Sequence, residues 1–300
     1  MAELTKTLIV LVGPTAVGKT SLSIELAQKF NCPIMSTDSR QFYNEMSIGT
    51  AKPTVEEMKN VPHHFINSRS ITELYTAGMF EEDAINKLEE IFQTRDYCVA
   101  VGGSGLYINA LCYGIDDIPK DEIIRQNLYD RWQNEGLEKL KEELIEIDPE
   151  FYHESDMNNP RRVMRALEVY QITGQKYSKL RTKPKKKRPF NMIWIGLEMD
   201  MEKLYARINN RVDKMLVEGL LEEVKSLYKY KDLKALRSVG YQELINFLDG
   251  NISLEEAVEL IKRNSRRFAK KQFTWFRKNE QIKWFKPDQK EAIFQYVESN

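Results

Sequence analysis

Apolar residues along this chain fall into two kinds of run. Leu8 to Val12 is short, continuous and stopped by Gly13-Pro14, the pattern of a parallel strand buried on both faces and entering a loop. Pro33 to Thr37, Tyr97 to Val101 and Asn191 to Leu197 have the same character. Between them the spacing is helical. Lys19 to Phe30 carries Leu22, Leu26 and Ala27, and Ala77 to Phe92 carries Ala77, Phe80, Ala84, Leu88 and Ile91 on one stripe. Strands alternating with helices predict an α/β fold, a parallel sheet with helices on both faces.

The pattern changes near Ile118. From there to about Tyr177 the chain is charged and helical, with no convincing strand; Asp121 to Trp132, Leu137 to Ile147 and Pro160 to Thr173 read as helices. A Lys/Pro-rich linker follows, up to Arg188. After the strand at Asn191 come helices at Met201 to Glu218, Leu220 to Lys229, Ser238 to Leu248 and Leu254 to Lys278. The simplest architecture is an α/β core of residues 1–117 and 189–300, interrupted by a helical insertion domain over 118–188.

The 300 residues are 42% apolar and 30% charged, enough to bury a large core in a soluble protein. No segment approaches the roughly 18–20 consecutive apolar residues of a membrane span. The first apolar run is too short for a signal-peptide core, so a cytoplasmic monomer with no membrane association is expected. Cys32, Cys98 and Cys112 are widely spaced in apolar settings, which suits reduced, buried thiols. Net charge is zero, yet Arg181 to Arg188 and Lys262 to Lys278 are strongly basic, and the second run contains no acid. A basic face and a pair of solvated helix surfaces are both open readings of that asymmetry.

Gly13-Pro14-Thr15-Ala16-Val17-Gly18-Lys19-Thr20 fits the eight-residue phosphate-loop (P-loop) pattern, after an apolar strand and opening a helix. Its glycines let several N–H groups turn toward one anion, and the helix N-terminus adds positive potential. Lys19 would reach phosphate oxygens and Thr20 a Mg²⁺ bound to them. In nucleotide hydrolases a carboxylate closes a later apolar strand. Here Val99 to Val101 runs into Gly102-Gly103-Ser104-Gly105 with no acid, which points away from ordinary hydrolysis. Asp38 ends the second strand; proton acceptor and structural or metal-linked carboxylate are both open. His63 and His64 suit a structural or nucleic-acid-proximal role better than a metal pair, and His153 reads as surface. Trp275 and Phe276 read as core rather than as base-stacking residues.

These motifs have companions. Asp38-Ser39-Arg40-Gln41, Ile48-Gly49-Thr50-Ala51-Lys52-Pro53, Pro62-His63-His64, Val101 to Tyr107, Asn159 to Glu168, Ser238-Val239-Gly240-Tyr241 and Lys270 to Arg277 follow the P-loop in turn. In that set and order the chain resembles the tRNA dimethylallyltransferases over nearly its whole length. It resembles the bacterial form, without the zinc finger that eukaryotic members append. It departs from the family pattern at Ser104, usually threonine, and at Arg40, usually apolar.

The resemblance implies transfer of the dimethylallyl group of dimethylallyl diphosphate to the exocyclic amino nitrogen of the adenine just 3′ of the anticodon, with Mg²⁺ as cofactor. It implies that Gly13, Pro14, Thr15, Ala16, Val17, Gly18, Lys19 and Thr20 hold the diphosphate. Ser104 and Arg125 complete that shell, and Asp38 is the general base. Ser39, Arg40 and Gln41 would meet the adenine. Arg161, Arg162, Val163, Met164, Arg165, Arg237, Gly240, Tyr241, Lys270, Lys271, Gln272 and Arg277 would meet the anticodon stem-loop. The rivals are a P-loop small-molecule or nucleoside kinase, and a tRNA chaperone with a vestigial loop.

Overall fold

The computed structural model describes residues 6–116, 118–181 and 186–300. Its sheet has six parallel strands: Thr7–Val12 (β1), Ile34–Ser36 (β2), His63–His64 (β3), Tyr97–Gly102 (β4), Asn191–Leu197 (β5) and Lys283–Phe285 (β6). Their order is β3-β2-β4-β1-β5-β6. β1 is buried at every position and pairs with β4 on one side and β5 on the other, as its unbroken apolar run requires. The register sets Val12 beside Gly102, and Ser36 beside Val101. The turns that follow β1, β2 and β4 therefore emerge side by side at the carboxyl edge of the sheet, where open α/β sheets bind ligands.

The periodic helices form within a few residues of their expected limits, including Lys19–Lys29, Ala77–Thr94, Met201–Val217 and Leu254–Phe276. Two strands and several short helices escape the pattern. β3 and β6 have two and three residues, too few to display a period. Gly105–Tyr113 is a helix of almost wholly apolar sequence, with no polar face to reveal it. Cys32, Cys98 and Cys112 are free and buried. Among the described residues no helix is long and apolar enough to cross a membrane.

The chain forms two compact units, Met1–Cys112 with Lys187–Asn300, and Tyr113–Lys186. The first is the α/β unit. Ile9, Leu11, Leu22, Leu26, Val99 and Ile195 belong to its sheet core, and Tyr241, Leu244, Val224 and Ile261 to a second core under the C-terminal helices. The second unit is helical. Asp121 caps Glu122–Glu135 by accepting from the N–H groups of Ile123 and Ile124, and Asn159 caps Pro160–Thr173 with proline in the first turn.

Leu128, Leu140, Leu144, Phe151 and Leu167 fill the helical unit, and Val163 and Met164 join them at 0% and 7% exposure. Both lie on the inward stripe of their helix, which corrects their placement among tRNA-facing residues. Of the basic linker, residues 182–185 lie outside the described residues. Arg188 is not a solvated linker charge: it is buried against Glu81 and donates to the carbonyls of Ala110 and Leu111.

Candidate active site

The P-loop leaves β1 at Gly13, whose φ is 148°; a Cβ there would stand 2.7 Å from the Leu197 carbonyl oxygen. Glycine is required because the end of β5 lies against the loop. Gly18, at φ 113°, ends the loop and begins the helix Lys19–Lys29 with no side-chain cap. The first-turn amides are the groups a helix offers to an anion. Lys19 Nζ donates to the Gly13 and Pro14 carbonyls at 2.9 and 2.8 Å, folded onto its own loop. Desolvation pulls its pKa down to about 7, with Asp38 opposing the shift and Arg211 adding to it. Thr20 is exposed in the first turn.

Two arginines beside this loop carried no motif. On Met201–Val217, Arg207 Nε donates to the Ala16 carbonyl at 2.8 Å, and Arg211 Nη1 to the Thr15 hydroxyl at 3.1 Å. Burial lowers the pKa of Arg211, and Asp38 is the foremost charge opposing it. Their four-residue spacing puts both on one helix face. The helix itself was legible from Leu204, Ile208 and Val212; which polar stripe met the P-loop was not.

Asp38 follows β2. Its Oδ1 accepts from the Arg40 amide at 2.9 Å, and its own amide donates to Ser36 Oγ at 3.3 Å. It stands in the joint field of Lys19 and Arg211. Ser104, after β4, accepts from the Ser39 amide at 3.1 Å and donates to the Ser39 hydroxyl at 3.2 Å, so it ties these two turns together.

Gln272 is buried. Its Oε1 accepts from the Thr15 amide at 2.8 Å and its Nε2 donates to the Gly103 carbonyl at 3.0 Å. Both ends of this amide are used in joining the P-loop to the turn after β4, which corrects its reading as a tRNA contact. Asp38, Ser39, Ser104 and residues 13–20 thus meet at one edge of the sheet.

Other residues stand differently from expectation. Trp275 is 45% exposed, with its ring over Gly105, where a Cβ would lie 2.1 Å from Nε1; it is not a core residue. Phe276, at 3%, is. Tyr241 is fully buried and donates to Glu223 at 2.5 Å, so it faces the core rather than a nucleic acid. Gln41 donates to the Thr50 and Ala51 carbonyls and accepts from Ser36 Oγ, which makes it a brace rather than an open adenine contact.

Arg40 donates to the Lys234 carbonyl at 3.2 Å. Arg237, Lys270, Lys271 and Arg277 are exposed, and Gly240 begins the helix Tyr241–Leu248 at φ 97°. The basic run beginning at Lys262 is acid-free in sequence but not in space, since Lys262 pairs with Asp213 at 2.8 Å. His63 and His64 are successive residues of β3, so their side chains leave on opposite faces, and desolvation lowers both pKa values. His153 is exposed.

Within the helical unit, Arg125 pairs with Glu122 and with Glu168, both at 2.7 Å. Arg165 pairs with Glu168 at 3.0 Å and donates to the Ile118 and Pro119 carbonyls at 2.9 Å. That guanidinium is engaged inside its own unit and is 21% exposed. Arg161 and Arg162 are exposed.

The donor set also bears on metal. No cluster of three or more His, Cys, Asp or Glu side chains suited to a metal forms among the described residues. The Thr20 hydroxyl and Asp38 carboxylate are hard oxygen donors. That sparse set fits Mg²⁺, which takes few protein ligands and completes its shell with phosphate oxygens and water.

A family model described as IPP transferase matches residues 41–279. The chain is 47% identical to tRNA dimethylallyltransferase 1 of Bacteroides fragilis, covering 98% of each chain. It is 50% identical to the tRNA dimethylallyltransferase of Christiangramia forsetii, covering 97% of each. Among solved structures it is similar to the tRNA isopentenylpyrophosphate transferase of Bacillus halodurans, with TM-score 0.73, 40% identity, and 98% and 96% of the two chains covered. It is also similar to a eukaryotic dimethylallyltransferase acting on tRNA, with TM-score 0.76, 30% identity, and 91% and 70% covered.

Proposed function

The chain belongs to the IPP transferase family, and from that premise we propose that it moves a dimethylallyl group from dimethylallyl diphosphate to the exocyclic amino nitrogen of the adenine 3′ of the anticodon in tRNA. The allylic C–O bond breaks and its electron pair leaves with diphosphate. The adenine nitrogen forms the new N–C bond and gives up a proton.

Each half of that exchange has its residues. Diphosphate gathers negative charge as it leaves, and donors arranged in advance for that charge lower the barrier. The amides of residues 13–20, Lys19 and Arg211 supply them at the P-loop. Mg²⁺, when bound, would neutralise diphosphate oxygens, and Thr20 is the side chain that would hold it, which leaves Asp38 free for the proton. The adenine N–H becomes acidic only as the N–C bond forms, so an ordinary carboxylate suffices as base. Asp38 takes that proton. The target base leaves its stack to reach this edge of the sheet.

The observation that carries the reading is the pairing of an anion cradle with one carboxylate. The turn of Asp38 and Ser39 is tied to Ser104 beside the P-loop, while β4 ends at Gly102 and runs on into Gly103 and Ser104 where a hydrolase would carry a metal-binding acid. The names of the relatives weigh against a small-molecule kinase. Exposed Arg161, Arg162, Arg237, Lys270, Lys271 and Arg277 supply charge for the tRNA backbone. Work on tRNA accords with a cytoplasmic protein.

The test is incubation with labelled dimethylallyl diphosphate, Mg²⁺ and unmodified tRNA. Label is expected on the adenine 3′ of the anticodon. ATP turnover without tRNA, together with no transfer of label, would overturn the reading.

A further inference from the structure

The segment Ile48-Gly49-Thr50-Ala51-Lys52-Pro53 has no part in the chemistry described so far, yet the fold restrains it heavily. The backbone amides of Ser47 and Ile48 donate to Glu223 Oε2 at 2.9 and 2.7 Å, and that of Gly49 donates to Oε1 at 3.1 Å. The Tyr241 hydroxyl donates to the same Oε1 at 2.5 Å. A carboxylate has about four lone-pair sites, and here all four are used. Three successive amides converging on one anion form a nest, the arrangement by which backbone holds phosphate elsewhere. In this chain the anion is the protein's own, delivered by the helix Leu220–Leu227.

Steric fit pins the same loop. A Cβ on Gly49 would stand 2.5 Å from the Tyr241 ring. Ala51 is held at φ 48°, a conformation that a residue with a Cβ adopts only when its surroundings impose it.

What the loop does with this rigidity follows from its carbonyls. Thr50 and Ala51 both accept from Gln41 Nε2 at 3.3 Å. Gln41 Oε1 accepts from Ser36 Oγ at 3.0 Å, and Ser36 Oγ accepts from the Asp38 amide at 3.3 Å. A continuous series of hydrogen bonds therefore runs from Glu223, through residues 47–51, Gln41 and Ser36, to the backbone of Asp38. The P-loop is braced by other groups, namely Gln272, Arg207 and Arg211.

We propose that Glu223 is a positioning residue for the transfer reaction: by anchoring the loop at residues 47–51 it sets, through Gln41 and Ser36, the placement of Asp38 against the adenine amino group. The proposal rests on the reading of Asp38 as base. Glu223 touches no substrate and acts only through this relay.

The experiment compares full-length wild type, Glu223→Gln, Tyr241→Phe, Asp38→Ala and the double variant Glu223→Gln/Asp38→Ala. It measures single-turnover transfer at saturating tRNA, KM for dimethylallyl diphosphate, and thermal unfolding. Glu223→Gln keeps the shape but turns an NH₂ toward amide donors. A fall of about 10- to 100-fold in single-turnover rate is expected, the loss of one or two hydrogen bonds to a charged group. KM for dimethylallyl diphosphate stays within about twofold, because the P-loop has its own braces. Tyr241→Phe removes one donor of four and gives a smaller fall of the same kind, which keeps the test open if Glu223→Gln folds poorly. In the Asp38→Ala background, Glu223→Gln adds nothing further to the rate loss, as residues acting through one another are non-additive.

A wild-type rate in both Glu223→Gln and Tyr241→Phe overturns the relay. So does a full additional loss in the double variant, which is what general destabilisation would give. Should Asp38→Ala itself retain the wild-type rate, the reading of Asp38 fails instead, and the two failures are thereby told apart.

Discussion

The α/β unit and the helical unit deploy their charged and polar side chains differently. In the α/β unit these groups aim at backbone: Lys19 at the Gly13 and Pro14 carbonyls, Gln272 at Thr15 and Gly103, Arg207 at Ala16, Glu223 at three consecutive amides. In the helical unit pairings between side chains stand beside such bonds: Arg125 and Arg165 with Glu168, and Arg131 with Glu135 and Glu143, although Arg165 also donates to the Ile118 and Pro119 carbonyls. Bonds to backbone fix the course of a loop, and bond-making chemistry needs reacting groups held to a fraction of an ångström. Exposed ion pairs contribute little to stability, and they leave a surface whose charge can be re-partnered. Glu168 differs from these exposed pairs, being 1% exposed and accepting from two arginines.

The contrast can be broken at its strongest point first. If the α/β unit holds the chemistry, Asp38→Ala lowers the single-turnover rate by about 10²–10⁴ while tRNA affinity stays within a few-fold. Rapid-quench transfer and filter binding measure the two quantities. A large loss of affinity with an intact rate would move Asp38 from chemistry to binding.

A smaller effect is expected from the exposed cations of each unit. Neutralising Lys270 and Lys271 together, or Arg161 and Arg162 together, weakens tRNA binding. It also flattens the salt dependence by roughly 0.7–0.9 log units per log unit of salt for each phosphate left without its cation. The transfer rate at saturating tRNA changes little. Titrations at several salt concentrations decide this, and slopes identical to wild type in both double variants would make these side chains merely solvated surface.

The smallest effect tests whether cations aimed at backbone are as desolvated as they stand. Lys52 donates to the Tyr43 carbonyl and to Asn67 Oδ1, and desolvation pulls its pKa from 10.5 to about 8. Between those values the unfolded chain binds more protons than the folded one, so stability rises with pH from 8 upward. Lys19, held near 7, acts with the same sign. Tyr241, pushed up by burial and by Glu223, acts with the opposite sign above about 10, where an unfolded tyrosine begins to ionise. Urea unfolding at pH 8 and about 9.5 should therefore show a smaller gain for Lys52→Met than for wild type. Equal gains would mean that Lys52 is well hydrated.

Legibility in the sequence followed the length of the physical signal. β1, β4 and β5 are six or seven residues long and buried, and their apolar runs announce them; β3 and β6 are two- and three-residue additions made by pairing alone. The P-loop was visible because its glycines answer a local backbone demand. Arg207 and Arg211 were not, because what brings them to Thr15 and Ala16 is the packing of a distant helix. Trp275 and Tyr241 exchange their expected surroundings for a similar reason. One covers the glycine that opens the next helix, while the other sends its hydroxyl into the interior to meet Glu223. Aromatic type alone does not distinguish these outcomes.

The place of β5 in the sheet has a consequence for how the chain is made. β1 is synthesised first, yet one of its two edges stays unpaired until Asn191–Leu197 has left the ribosome, after the whole helical unit. At about 5–20 residues per second that wait is on the order of seconds or longer. An apolar strand with one edge unpaired is of the kind that recruits strands from other molecules. Gly13 meanwhile lacks the Leu197 carbonyl against which it finally rests. The phosphate cradle is thus among the earliest parts of the chain to be translated and among the last to be shaped.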